Sequence, residues 1–584
     1  MELTAQPANP PVAPAWDTSG VRRFLGQYPA LCVFAGALLV RLAVLALFST
    51  SPHFGVQSGD MRFYHDWALR ILAGEWTDHH AFYGLPGYAF LMAGVYKVFG
   101  VHPGVMLSIQ SLADACTALL VFRLARAVIP VYPRALAALA ALGWVLFVPA
   151  QTFSAVLMPT VLAAACYWFC VDRAMQTKTL GLPWRWLGLG TLVGVTATCV
   201  ATVLFAVPLL IAAALLAQAP RAKRAVAVAL LLAGLAAGTS PAWLHNRFIA
   251  HEPVFLSAHG GINFWIGNAP GATGYPKIPP PLRAGQRELL VDSIAYAEQE
   301  NHRPMSRAEV SRYWSEKAWA QIHQEPAAWA RLLAVKVRNF WNAFSYDDVT
   351  IIALLREEGV LLPGLGFGLV ATVGLAGLLL AGCDPKARWV AAAVLLHMIA
   401  LLPVFITERY RLAAVPGLLV LGAYGISRGI AFVQARQWRP LAGLTALLAL
   451  AAVFVHLPVQ GEMLSSMEPY NLAISELEAG QLDRAEKHLA QAAALAPGNA
   501  SLLFAQGNLC LKRGDQQRAK VYYKQSLEKE PRNADAYTNL GLIACGEKRW
   551  DLGARLFEAS LSIDPTDQIT LQLLQRARAE MAKH

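Results

Sequence analysis

Long apolar runs separated by short polar turns fill most of the first 460 residues, a pattern that predicts a bundle of membrane-crossing helices. The first run covers about residues 28–50. Others follow at about 104–128, 133–150, 152–172, 186–217, 225–244, 360–382, 388–406, 411–432 and 440–458. The run 186–217 is long enough for two short helices. Pro86–Gly100 is apolar but short of the roughly 20 residues a crossing takes, and suits a helix lying at the membrane interface. Two polar stretches interrupt the runs, 51–103 and 245–358. In the second, the Gly, Asn and Pro residues of 259–276 predict an ordered loop. Beyond it, Tyr313, Trp314, Ala318, Ile322, Trp329, Leu332 and Val335 recur at spacings that suit an amphipathic helix pair broken near Pro326.

After residue 460 the period changes. Pro497, Pro531 and Pro565 stand 34 residues apart, and in register with them run Ala485, Ala519 and Gly553, then Leu489, Tyr523 and Phe557. Gly507 and Gly541 share the period and mark where two helices touch closely. Small and aromatic residues kept in phase at 34 predict about three tetratricopeptide repeats over 466–568 with a capping helix running to His584. The chain is therefore expected to be all-α. A disordered, Pro/Ala-rich tail over 1–20 precedes a membrane domain over 21–459 and a repeat domain over 460–584.

Composition supports lipid as the main solvent: 56% of residues are hydrophobic, only 15% are charged, and mean hydropathy is +0.41. The net charge of +11 forms no nucleic-acid stripe, because the basic residues sit in short turns. Arg22 and Arg23 precede the first run. Arg123, Arg126 and Arg134, then Arg173, Lys178 and Arg185, then Arg221, Lys223 and Arg224, then Lys386 and Arg388, then Arg428, Arg436 and Arg439 share one side if 186–217 crosses twice. About eleven crossings result, with the N-terminus cytoplasmic and 51–103, 245–358 and the repeats on the outer, periplasmic side of a plasma membrane. The eight cysteines form no CxxC pair, so neither a disulfide framework nor a zinc site is expected.

Candidate chemistry concentrates in the first outer loop, Ser58-Gly-Asp-Met-Arg-Phe-Tyr-His-Asp-Trp-Ala-Leu-Arg70. An acid such as Asp60 in a loop at a membrane face can activate a nucleophile, hold a cation or simply face water. His79 and His80, with Asp60, His65 and Asp66, fix no ligand spacing, so no metal site and no divalent cation is assigned. Thr407-Glu-Arg-Tyr-Arg411 opens a late run at the same outer face; Arg409 and Arg411 offer guanidinium forks for phosphate oxygens, with Glu408 and Tyr410 beside them. Interfacial anchoring accounts for the same residues. Arg41 and Asp114 lie inside apolar runs, where Arg41 faces the bundle and Asp114, near Gln110, is either functional or bonded to a neighbouring helix.

The order of these features resembles the GT-C superfamily of polyprenyl-phosphate-sugar-dependent glycosyltransferases, in its protein-mannosyltransferase/ArnT-like branch (family 39). GDMRFYHDWA is similar to the family's first-loop motif, Pro86–Gly100 to its juxtamembrane helix, and ERYR at 408–411 to its late Arg-Tyr-Arg motif. Pro241-Ala-Trp-Leu-His-Asn-Arg247 and GGINFWIGNAPGATG look like its Pro–Arg/Asn stretch and glycine-rich loop. The resemblance spans roughly 20–440. It implies Asp60 as the catalytic carboxylate and places Arg62, Tyr64, His80, Arg247, Asn263, Asn268, Glu408, Arg409, Tyr410 and Arg411 around the substrates. It also implies a polyprenyl-phosphate sugar as donor, an external protein or glycan acceptor, inversion at the sugar, and a protein partner or substrate for the repeats. The chain departs from the family pattern at Met61, at Met158-Pro-Thr160 and over 196–202. The first two positions lack the acids, and the third the arginine, that often stand there. A paired-carboxylate or metal-assisted mechanism therefore lacks its second acid. Two other readings fit the same chain: a non-catalytic membrane scaffold whose repeats recruit a partner, and a lipid or solute transporter, against which the large outer loops and absent inverted repeats count.

Overall fold

A computed structural model describes residues 27–51, 53–54, 59–279, 282–283, 285–459, 462–565 and 567–582. The tail over 1–20 and the pair Arg22–Arg23 lie outside them. Among the described residues the regular structure is helical, with one isolated bridge between Phe147 and Leu365. Five helices are long and apolar enough to cross a membrane, namely Pro29–Phe48, Pro103–Val128, Arg221–Ile249, Glu408–Gln434 and Trp438–Val455. Four shorter apolar helices accompany them.

The bundle packs around Pro103–Val128, which lies against Pro29–Phe48, Pro133–Val145, Thr160–Gln176 and Val415–Gln434. Arg41 does turn inward. Its Nε donates to Asp114 Oδ2 at 2.6 Å and its Nη1 to the Val145 carbonyl at 2.7 Å, both residues fully buried. The tightest pair is Pro183–Ala197 with Arg221–Leu244. Gly190 and Gly194 face Gly234 and Gly238 across it, and a methyl on any of the four would strike the opposing backbone. Where lipid competes for apolar surface, close backbone approach through small residues is what holds helices together.

The run 186–217 is broken rather than continuous. One helix ends at Ala197, and the chain restarts at Ala201 in a tight turn that leads into Val207–Leu216. The Gly87 N–H donates to the Thr198 carbonyl at 2.8 Å, so the break abuts the start of the Gly87–Phe99 helix. The runs expected at 133–150 and 152–172 are instead Pro133–Val145, a short Val148–Ser154 helix and Thr160–Gln176. Pro149 and Pro159 supply no N–H, and one helix restarts with Pro149 in its first turn and the next just after Pro159.

Two stretches expected as loops are helical. The Asp60 stretch forms Gly59–Leu72, which buries Met61, Trp67 and Ala68. GGINFWIGN forms Gly260–Asn268 despite its glycines. Gly261 and Gly267 there let the helix lie against the backbone of Ser311 and Val404, while Ile262, Trp265 and Ile266 join Trp314 in a second, outer core. The helix pair broken at Pro326 is Arg307–Gln324 and Pro326–Trp341.

The C-terminal part is an array of antiparallel hairpins: Glu462–Glu478 with Leu482–Leu495, Ala500–Lys512 with Gln516–Lys529, and Ala534–Gly546 with Trp550–Ile563, then Gln568–Met581. A methyl at Gly507 would come within 2.5 Å of the Tyr523 ring, and one at Gly541 within 2.6 Å of Phe557. The same glycine-on-aromatic contact thus recurs after 34 residues. Both ends of the array touch the preceding part of the chain, through Arg484 and His488 on Glu357 and through Asp564 on Arg283.

Candidate active site

Gly59, at φ +64°, takes a left-handed conformation that side chains resist, and from there the chain turns into the helix opened by Asp60. The carboxylate meets a guanidinium from far downstream: Arg409 Nη1 donates to Asp60 Oδ2. Arg409 lies in a single helical turn, Glu408–Arg411, whose start is capped when Thr407 Oγ1 accepts the Tyr410 N–H at 3.3 Å. Its Nη2 reaches Asp348 Oδ2 at 2.8 Å. One guanidinium therefore stands between two carboxylates from segments far apart in the chain. The three side chains are 15%, 12% and 11% exposed for Asp60, Arg409 and Asp348, enough for access and little enough for strong electrostatics.

The arrangement keeps unused capacity. Arg409 Nε and Asp348 Oδ1 are buried without a hydrogen-bond partner among the described residues, and no bond reaches Asp60 Oδ1 from them. The cluster thus keeps one donor and two carboxylate oxygens without a hydrogen-bond partner among the described residues. Tyr64 stands beside Asp60 and packs edge-on against Tyr88 at 5.1 Å. Burial, and then the Asp60 charge, push its phenol up, so it stays a proton donor; the same two causes, in the same order, raise Tyr83. Burial lowers His259, which keeps its ring neutral; its Nδ1 lies 3.0 Å from the Tyr83 carbonyl oxygen. Burial raises the Asp348 carboxyl, and the Arg409 charge draws it back.

The other expected residues divide by position. Glu408 and Arg411 are fully buried and bonded to each other rather than to Asp60. Arg411 Nη1 donates to the Asn342 carbonyl at 2.7 Å and Nη2 to the Phe344 carbonyl at 2.8 Å, and its guanidinium lies 3.7 Å from the Phe367 ring centroid. All its nitrogens are committed, so it fixes the turn that presents Arg409 and offers no phosphate fork. Tyr410 stacks on Phe405 and under Arg409. Asn268 is also committed: its Nδ2 donates to the Phe264 and Pro403 carbonyls, and its Oδ1 accepts from Trp329 and Lys336. Asn263 is half-buried on the same helix. Arg62 is 70% exposed and pairs loosely with Asp66 at 3.7 Å. His80 is 60% exposed, with Glu252 3.8 Å from its Nδ1. Arg247 is exposed on a wide helical turn, His245–Ile249. His65 bonds Tyr96 at 3.0 Å and does not join Asp60.

No protein-family model matches the chain, and no curated protein matches it. Among solved structures, the archaeal oligosaccharyltransferase AglB from Archaeoglobus fulgidus, in complex with an inhibitory peptide and a dolichol-phosphate, is similar at a TM-score of 0.39 and 14% identity. The match covers 80% of this chain and 60% of that one, so this chain corresponds to under two thirds of its length. A likeness this distant carries no argument about the site.

Sequence reasoning did not pick out Asp347 and Asp348. Their signal was available: adjacent acids in the second outer stretch, just ahead of an apolar segment. Asp347 is half-buried and accepts the Ile352 N–H at the start of the Ile351–Glu357 helix at 2.7 Å, and desolvation pushes its carboxyl up to about 7.

Proposed function

We propose that the chain is a membrane glycosyltransferase that moves a sugar from a polyprenyl-phosphate donor to an acceptor hydroxyl on the outer side, with inversion. The observation that carries this reading is the Asp60–Arg409–Asp348 cluster, which joins an acid just beyond the first helix to a guanidinium at the mouth of a late one. In this reading Asp60 Oδ1 takes the acceptor proton while Arg409 holds Oδ2, a step to which a positioned base typically contributes ~10²–10⁴-fold. The leaving phosphate already carries charge and needs cations; Arg409 Nε is the buried donor with spare capacity, and exposed Arg62 and Arg247 add positive potential at the rim. Asp348 supplies the second carboxylate that Met61 and Met158-Pro-Thr160 do not, as a positioning residue for Arg409.

The hairpin array is read as tetratricopeptide repeats on the outer face, where they present a polypeptide acceptor. Asp60→Asn in purified, folded protein is expected to abolish transfer from a polyprenyl-phosphate sugar. Full turnover in that variant removes Asp60 from the role. Wild-type protein that neither binds nor consumes such a donor points to the scaffold reading.

A further inference from the structure

We propose that the repeat array is a working part of the Asp60 site: through His488 and Arg484 it holds the Ile351–Glu357 helix, and so sets the carboxylate of Asp348 that fixes Arg409. The inference rests on the proposed role of the Asp60 cluster and adds a residue from the other domain to it.

The connection runs through one short strut. At its start, Asp348 pairs with Arg409, and Asp347 accepts the Ile352 N–H. Its middle, Ile351 to Leu355, is buried. At its end, Glu357 reaches across to the array, with His488 Nε2 3.0 Å from its Oε1 and Arg484 Nη2 2.9 Å from its Oε2. Behind them stands Glu476, wholly buried, 2.7 Å from His488 Nδ1 and 3.0 Å from Arg484 Nε. The next residue of the strut, Glu358, accepts from Ser51 Oγ and lies 3.2 Å from His53 Nε2, on the segment that leads from the first helix toward Asp60. Both chain segments that feed the cluster are thus tied to this one turn.

His488 decides whether the tie holds. Its two ring nitrogens lie against carboxylates from different domains, Glu476 within the array and Glu357 outside it. Only the imidazolium has an N–H for each; a neutral ring turns a lone pair on one of the two acids. The charged groups facing the ring are Glu357, Glu476 and Arg484, which balance when the ring is charged and leave one uncompensated negative charge when it is not. Glu357, Glu476 and His488 bring ligand atoms within 4.8 Å of one another, but the two acids approach opposite ring nitrogens, so the ring's single lone pair faces only one of them in this arrangement.

The test is amide hydrogen exchange on the full chain in lipid nanodiscs, followed at 346–358 and at 407–411 and corrected for intrinsic rates. His488→Ala is expected to exchange about tenfold faster than wild type in both segments. His488→Lys, which keeps a positive charge between the acids, should stay close to wild type in both. Glu357→Gln, which leaves the array intact, should match His488→Ala at 346–358 and at 407–411. A merely local structural role for His488 leaves 407–411 unmoved, and that result overturns the proposal. Exchange needs no turnover. Failure here with Asp60→Asn still inactive removes only the coupling, whereas active Asp60→Asn removes the reading on which it rests.

Discussion

Replacing Arg409 by methionine removes the one cation between Asp60 and Asp348 while keeping most of the side chain's length. What remains is a pair of carboxylates, 15% and 11% exposed, facing each other across the space the guanidinium filled. Removing one member of a buried ion pair costs about 3–5 kcal/mol, because the partner is left charged and poorly solvated. Partial exposure here places Arg409→Met near the low end, about 3 kcal/mol. The informative comparison is the double variant Asp60→Asn/Arg409→Met, in which one of the stranded charges is gone. It should be less destabilised than the sum of its parents, with a coupling energy of about 0.5–3 kcal/mol. Thermal unfolding in detergent micelles, read by tryptophan fluorescence, gives all four corners of the cycle. Additive effects, or an Arg409→Met midpoint equal to wild type, refute the claim that this guanidinium neutralises both acids.

Further outcomes follow from the same structure. Gly194→Val places a branched side chain where the Leu235 carbonyl and Gly238 Cα already lie 2.6 and 2.9 Å from a bare Cβ position, so Pro183–Ala197 and Arg221–Leu244 must separate. A loss of about 1–3 kcal/mol is expected, checked by the unfolding midpoint, and Gly188→Val, with open space around it, should be near neutral. Burial raises the Asp347 carboxyl to about 7, above its unfolded value, so the folded state holds that proton longer. Its contribution to stability is present below the unfolded value and is lost as pH rises through about 7. Asp347→Asn should therefore gain on wild type as pH is raised from about 4 to about 7 and then level off, read as the difference in unfolding midpoint at each pH.

The apolar runs made the bundle legible, because a long run without charges has few other uses. The 34-residue phase of Gly507/Gly541 with Tyr523/Phe557 did the same for the hairpins. The interruptions were harder to read. Thr198–Val200 carries no glycine or proline, and the chain breaks there because Gly87 packs on the Thr198 carbonyl, a contact between segments over a hundred residues apart. Glycines misled at 260–268, where they serve helix packing rather than chain reversal. In the site, Asp60 and Arg409 each stood in a recognisable motif. Arg411 and Asn268, equally polar in sequence, turn inward to carbonyls that only the folded chain supplies. Asp348 gained meaning only from its place opposite Arg409.

The contact between Arg283 and Asp564, at 2.6 Å, has a partner that is 40% exposed, and an ion pair so open to water contributes only about 0–1 kcal/mol. The array is nevertheless leashed at its other end, so re-docking is a first-order event whose effective concentration lies on the order of millimolar. A pair so open to water on a short leash is remade as often as it breaks, so this end of the array is held by proximity more than by the strength of the contact.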